Sequence, residues 1–453
     1  MTTHRLSSLS CRPMSRRTVL AGMTAMGAST ALAQSLPTNP DVIVIGAGAA
    51  GIQAARTLMA NGKSVVVVEA ADRIGGRIYT ETTTFGAPFD HGASWINAAD
   101  DNPFDDIARG FGLELLNHSD AGDALYVDGI LANSLQRADN NRAWGAVEQA
   151  LYEAGEAGLD VAASNVIPGD IPFSGVVQTW IGAMDYGVDF KHLSTLDYWN
   201  GAPATPSFLV REGLGHTLAL YGADLPVKLN CRATRIDTSG KGVRVDTCDG
   251  TLAAQAVIVT VSTGVLNAGS IQFTPDLPVA TQEAIGNLPM GLLNKVALQF
   301  DKTRLGFIAN NWLTHWVPNE MPAEAAYFLT WPFGFDYMVG FIGGEFGWEL
   351  SAAGEAAAVD FALGQIVKIA GSDAQKAFVK GALTGWADDP NTIGSYAAAR
   401  PGHYSARSAL AVPVTDRLHF AGEALGGPYA ATCNGAYKSG EVTARAVLAS
   451  LTD

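Results

Sequence analysis

The residues best suited to chemistry near the start of the chain are three glycines, Gly46, Gly48 and Gly51, at GxGxxG spacing. They follow the apolar run Asp41-Val-Ile-Val-Ile and are answered by Val65-Val-Val-Val-Glu69, which ends on an acid. Binding of a dinucleotide is the chemistry such a pattern serves. Gly46 permits a tight turn, Gly48 lets backbone approach a pyrophosphate, and Gly51 lets helix and strand pack closely, while Glu69 is placed to accept ribose hydroxyls. A second position stands out for the opposite reason. Lys295 interrupts the apolar run Gly291-Leu-Leu-Asn-Lys-Val-Ala-Leu, where a charge is costly unless paired or hydrated. It reads either as an edge-strand lysine reaching solvent or as a lysine held in a site.

These groups need elements to position them. The first Val/Ile run predicts a buried parallel strand, and the glycines open a helix over 52–60 whose first N–H groups face the phosphates. Residues 65–68 predict the next strand, with further strands at 227–230, 234–238, 243–247 and 256–261. Region 102–194 reads as mostly helical. Pro103 sits in the first turn of a short helix, where its missing N–H costs nothing, and a long polar helix covers 138–156. A helix over 355–370 carries Val359, Leu363, Ile366 and Ala370 as a packing face. Aromatic residues gather in 301–383 (Trp312, Trp316, Tyr327, Trp331, Phe333, Phe335, Tyr337) as core or pocket wall.

The stretch Glu69-Ala-Ala-Asp-Arg73-Ile-Gly75-Gly76-Arg77-Ile-Tyr-Thr80 resembles the signature of the FAD-dependent amine oxidase family, which includes monoamine oxidases, polyamine oxidases and LSD-type histone demethylases. Asp90-His-Gly-Ala93-Ser94-Trp95-Ile-Asn97 is similar to the segment that lies beside the flavin there, although polyamine oxidases often carry histidine where Asn97 stands. Segments 193–200 and 208–216 look like the polyamine oxidase branch. The run ending in Lys295 matches the motif whose lysine holds a water against the flavin N5. Trp386, Ser395-Tyr396, Gly422-Glu423 and the segment from Tyr429 to Ala436 resemble the second FAD segment.

The resemblance implies an α/β protein of two domains. A discontinuous Rossmann-like FAD-binding domain would take 36–94, 206–274 and 384–453, and a mixed α+β substrate domain 95–205 and 275–383. Implied cofactor contacts are Gly46, Gly48, Ala50, Gly51, Glu69, Ala70, Gly76, Arg77, Ala93, Ser94, Ala233, Trp386, Gly422, Glu423, Thr432 and Cys433. Implied substrate contacts are Trp95, Asn97, Tyr396 and Thr432, with Lys295 as catalytic support. Ser395 stands where monoamine oxidases place the cysteine that bonds to flavin, so FAD is expected to be non-covalent. The pairing of Tyr396 with Thr432, instead of a second aromatic wall, resembles the LSD and polyamine oxidase branches. The implied activity is oxidation of a polyamine or another primary or secondary amine to an imine, which water converts to an aldehyde or ketone. Electrons would pass to O2, giving H2O2. Alternatives are an L-amino-acid oxidase, with Arg211 or Arg407 as the cation for a carboxylate, and a dehydrogenase serving a periplasmic protein carrier. A flavin-binding module without turnover is a third.

Composition bounds these readings. The chain has 453 residues, 48% hydrophobic and only 16% charged, which fits a well-buried enzyme of two or three domains. Ser15-Arg16-Arg17-Thr-Val-Leu looks like a twin-arginine export signal, with an A-x-A cleavage site at Ala31-Leu-Ala33. The apolar stretch between them is short for a membrane span. A soluble periplasmic or secreted product is expected after loss of 1–33, with no stable membrane insertion. That loss takes four arginines and no acid, moving the formal charge of −15 to −19. So acidic a chain argues against nucleic-acid binding and suits cationic substrates. Of the remaining cysteines, Cys231 and Cys248 could bridge, but free buried thiols are expected, and no metal-ligand spacing occurs.

Overall fold

The structure, a computed structural model, describes residues 37 and 39–451. The expected export signal, within residues 1–33, lies outside the described residues. A five-stranded parallel sheet holds the glycine turn, in the spatial order Val227–Lys228, Val65–Val68, Val42–Ile45, Ala256–Val259, Leu418–Phe420. The three central strands are buried at every residue, which explains their unbroken β-branched sequences: a parallel sheet is covered on both faces. One face carries the helix Ala49–Ala60 and the final helix Cys433–Ser450. The other packs against a four-stranded sheet through Ile43, Ile45, Val66 and Val68 with Ile236, Val243 and Val245. The first helix begins directly after Gly48, three residues before the expected start. The strand expected over 227–230 is only two residues long, and Gly250–Ala254 adds a strand not anticipated.

A seven-stranded sheet forms the second layer system, in the order Phe378–Leu383, Leu293–Phe300, Tyr337–Gly343, Tyr327–Thr330, Asn311–His315, Asp123–Val127, Ile130–Leu131. The strand bearing Lys295 is therefore interior, paired on both sides, and the edge-strand reading of that lysine is excluded. The strands Leu115–Asn117, Asp123–Val127 and Ile130–Leu131 lie in the region expected to be mostly helical. Asp123–Val127 pairs with Asn311–His315, a partner too far along the chain to leave a local signal.

The long helix starts at Ser134, earlier than expected, because Asn133 and Gln136 cap it reciprocally. Glu355–Ala370 is helical as expected, but it packs on Ala358, Ala362 and Ile366, while Val359 and Leu363 are only half-buried. Small residues let this helix settle onto the sheet. Cys231 and Cys433 are buried free thiols, whereas Cys248 is free but exposed, contrary to expectation. It ends a hairpin strand, with its thiol turned to the Asn230 carbonyl.

Arg407 binds both oxygens of Asp197 at 2.7 and 2.8 Å, with both side chains buried. It also donates to the carbonyls of Ala397 and Ala424. The pair ties the helix Thr195–Trp199 to the segment leading away from Tyr396. Removing one partner leaves a buried charge unmatched. Arg407→Met is expected to lower unfolding free energy by about 3–5 kcal/mol in urea titrations followed by tryptophan fluorescence.

Candidate active site

The parallel sheet and the mixed sheet meet along one continuous cavity of about 810 Å³, in the upper part of the range for cofactor and ligand sites. At one end lie Gly46, Gly48, Ala50, Glu69 and Ala70, with Cys231 and Ala233 beside them. Gly46 adopts φ +102°, open to glycine, and a Cβ on Gly51 would stand 1.9 Å from the Gly46 carbonyl oxygen. That contact makes the turn. Gly51 itself does not border the cavity, so its part is packing and not contact with a ligand. The helix from Ala49 has no side-chain cap, which leaves its first N–H groups free to meet an anion. Glu69 accepts the amides of Ala47 (2.7 Å) and Ala71 (2.8 Å). It thus pins the turn and still has lone pairs for ribose hydroxyls.

Midway, Arg77 donates to Glu423 at 2.9 Å and to the Ser395 carbonyl at 2.8 Å, joining distant segments of chain at the cavity wall. Arg73 lies over the Tyr79 ring at 3.9 Å and donates to the Gly76 carbonyl, so both arginines are held by protein contacts. A Cβ on Gly92 would come 1.9 Å from the Arg77 carbonyl oxygen. The indole of Trp386 donates to the His91 carbonyl at 2.9 Å. Gly76, Ala93, Ser94, Gly422, Thr432 and Cys433 all border the cavity here. Thr432 caps the final helix, accepting the amide of Gly435. Burial raises the Cys433 thiol to about 12, so it stays protonated.

The far end is aromatic. Trp95 stacks on Trp312 at 5.6 Å, Trp180 meets Trp312 edge-on at 5.0 Å, and Phe341 completes the group. Asn97 and Tyr396 border the same space, and the Tyr396 hydroxyl donates to the Met184 carbonyl at 2.8 Å. Of the aromatic residues singled out in 301–383, Trp312 reaches this cavity. Tyr327 and Trp331 are buried core, and Phe333, Phe335 and Tyr337 line a smaller void of about 40 Å³ on the other side of Lys295. Neither Arg211 nor Arg407 borders the large cavity. Arg211 lies near the Phe335 ring, and Arg407 is committed to Asp197.

Lys295 projects from its interior strand to the middle of the cavity. Its ammonium donates to the carbonyls of Asp90 (2.7 Å) and Gly92 (2.6 Å) and to the Ser94 hydroxyl (2.6 Å). Burial draws it down to about 8, against the opposing pull of Asp90. Sequence reasoning missed Asp185, which also borders the cavity. Its signal was of the same kind as that of Lys295: a lone charge in the apolar run Trp180-Ile-Gly-Ala-Met-Asp185-Tyr.

A bare glycine turn, an uncapped helix start, an acid at the second strand end and a cavity running on to a buried lysine make a dinucleotide cradle joined to a hydrophobic reaction chamber. A family model for flavin containing amine oxidoreductase matches residues 49–168 and 195–448. The chain belongs to that family and is an FAD-dependent amine oxidase. Polyamine oxidase 4 of Oryza sativa subsp. japonica is 32% identical over 434 residues, covering 88% of this chain and 87% of that protein. Polyamine oxidase 2 of Arabidopsis thaliana is 31% identical over 441 residues, covering 90% and 87%. Among solved structures, a putrescine oxidase bound to putrescine superposes with TM-score 0.76 at 20% identity, covering 91% of this chain and 99% of that one. That likeness is one of fold.

Lys295→Met removes the buried cation and keeps the strand apolar. Stopped-flow measurement of both half-reactions is expected to show at least one slowed by about 10-fold or more, roughly 1.4 kcal/mol. In the parent protein the ammonium form is lost as pH rises through about 8. A rate limb there, absent from Lys295→Met, is expected.

Proposed function

We propose that this chain oxidises a diamine or polyamine at a carbon–nitrogen bond, with FAD held non-covalently and dioxygen as acceptor, giving hydrogen peroxide. Asp185 is the observation that carries the substrate class. It lies near the end of the π-helical stretch Thr179–Tyr186 and borders the cavity, and its carboxylate makes no hydrogen bond or ion pair among the described residues. Burial without a partner lifts its carboxyl to about 7. Asp185 is exposed to the cavity it lines, and the protein around that cavity is what desolvates it. Burial raises the phenols of Tyr186, Tyr198 and Tyr396, and the Asp185 charge adds to it. A carboxylate beside aromatic rings is a receptor for an alkylammonium group, through ion pairing and cation–π attraction.

FAD, when bound, supplies the two-electron acceptor for the hydride leaving the carbon that bears nitrogen. The chain does the rest. Asp185 would hold one ammonium group of the substrate and so place the other amine, in its neutral form, toward Tyr396 and Lys295. Trp95, Trp312 and Phe341 keep water from the reacting carbon. The amine carbon loses hydride and its nitrogen a proton, and water then converts the imine to a carbonyl compound and an amine. Non-covalent binding is supported at Ser395, whose hydroxyl donates to the Leu293 carbonyl and accepts the Leu293 amide, and which has no thiol to offer. The acidic chain and its relatives, named as polyamine and putrescine oxidases, favour cationic amines and dioxygen. Export by the twin-arginine signal would set this chemistry in the periplasm or outside the cell.

The test is an anaerobic titration of the holoenzyme with putrescine, spermidine, butylamine, a phenylalkylamine and two L-amino acids, followed by readmission of air. Bleaching of flavin absorption by the diamine and polyamine, with prompt recovery and peroxide on aeration, is expected. Slow recovery would point to a protein acceptor instead of dioxygen. In Asp185→Asn, KM for putrescine is expected to rise by about 10-fold or more, while butylamine changes by less than about 2-fold. Since Asp185 is ionised above about 7, the parent kcat/KM for putrescine is expected to fall as pH drops through that value. The limb should be missing from Asp185→Asn. Equal loss for putrescine and butylamine would sink the assignment.

A further inference from the structure

Cys231 and Cys248 stand just beyond one end of the antiparallel pair formed by Ala233–Asp237 and Val243–Thr247, where Ala233 lies opposite Thr247. The Cys248 amide donates to the Arg232 carbonyl at 3.3 Å, which carries the pairing one residue further. That makes Cys231 and Cys248 diagonal neighbours. Opposed Cα atoms lie about 5 Å apart and successive ones about 3.8 Å, so the diagonal comes to about 6 Å, a separation a disulfide spans. The side chains reach across in both directions. The Cys248 thiol donates at 3.5 Å to the Asn230 carbonyl, part of the peptide group that leads into Cys231. The side chain of Thr247, the residue before Cys248, hydrogen-bonds the Cys231 sulfur in turn.

Both sulfurs also feel the charge of Lys228, whose ammonium lies 3.1 Å from Asp249. A cation beside a thiol favours the thiolate, the nucleophilic form. The two thiols differ in access. Cys248 is exposed, whereas Cys231 is buried and borders the dinucleotide end of the cavity, and burial holds its thiol above the usual range. An accessible thiol with a second one in reach is the arrangement of an attacking and a resolving cysteine.

We propose that Cys231 and Cys248 form a peroxide-responsive dithiol whose disulfide clamps the dinucleotide end of the cavity. The Cys248 thiolate attacks one oxygen of hydrogen peroxide, the O–O bond breaks, and the other oxygen leaves as water after taking a proton. Cys248 is then a sulfenic acid. The Cys231 sulfur gives up its proton and attacks the Cys248 sulfur, and the sulfenic oxygen leaves as a second water. Two thiols have thus given two electrons to one peroxide. The clamp follows from what the Cys231 segment holds. The Cys231 amide donates to the Glu69 carbonyl at 2.7 Å and the Asn230 amide to the Ala71 carbonyl at 2.8 Å. The bridge therefore ties the hairpin to the segment whose carboxylate pins the glycine turn.

For the test, holoenzyme is reduced with dithiothreitol, freed of it, treated with hydrogen peroxide, alkylated and mapped without reduction by mass spectrometry. The oxidant is added from outside, so failure here is distinct from failure of the dioxygen reading. Peptides joined through Cys231 and Cys248 are expected, with Cys433 still a thiol. FAD release into chaotropic buffer, read by the rise in flavin fluorescence, is expected to slow by about 3-fold or more in the oxidised protein and to recover with dithiothreitol. Cys248→Ser should keep the parent kcat and KM and lose both responses. In Cys231→Ser, dimedone should trap the sulfenic acid at Cys248. A map with Cys248 unchanged or over-oxidised and no link to Cys231 overturns the proposal. A link that forms without slowing FAD release overturns the clamp, and so does slowing that persists in Cys248→Ser.

Discussion

The two ends of the described chain must touch for the site to exist. A Cβ on Gly440, in the final helix, would lie 2.1 Å from the carbonyl oxygen of Ala50, in the first. Backbone meets backbone there, and no side chain fits between. That contact sets the final helix, capped by Thr432, beside the glycine turn, so both helix starts border the same cavity. The pairing of Arg77 with Glu423 repeats the join further along the wall. One glycine contact and one ion pair thus replace the covalent continuity that the cofactor-binding half lacks.

From this join the cavity divides into two electrostatic settings. The turn end offers backbone amides and a carboxylate held by two of them, suited to phosphates and ribose. The far end offers aromatic rings and one unpartnered acid, suited to a cationic chain. Lys295 stands between. Its position on an interior strand of the mixed sheet holds it rigidly, since the strand is paired on both sides. Burial disfavours its charge, while Asp90 and the carbonyl acceptors restore part of it. A site that must change charge by one proton near neutral pH benefits from that balance.

How far the sequence reveals this depends on the range of each interaction. The glycine turn, its flanking strands and Glu69 are local, and the buried Val runs state plainly that the sheet is covered on both faces. The helix Glu355–Ala370 is legible in extent but not in its buried face, because Ala358 and Ala362 carry too little hydrophobicity to compete with Val359 and Leu363. Asp123–Val127 is invisible for another reason: a strand whose partner arrives from 311–315 draws its pattern from that partner. Every site residue that motif resemblance named borders the cavity except Gly51. The resemblance passed over Asp185, whose meaning comes from what is missing around it. The exposed Cys248 likewise depends on how a hairpin end turns.

The order of strands in the parallel sheet also bears on how the protein is made. Leu418–Phe420 is its last strand, and it pairs with Ala256–Val259. During synthesis, the open edge of Ala256–Val259 and the apolar faces of the sheet wait for residues that emerge long after them. Contacts so distant in sequence slow folding, and an unpaired β-branched edge invites association with other chains. A product cut short before Leu418 would lack the sheet edge, Glu423 and the closing helix together. It would be an aggregation hazard and not a weakened enzyme, which makes the stretch from Leu418 onward one where premature termination is poorly tolerated.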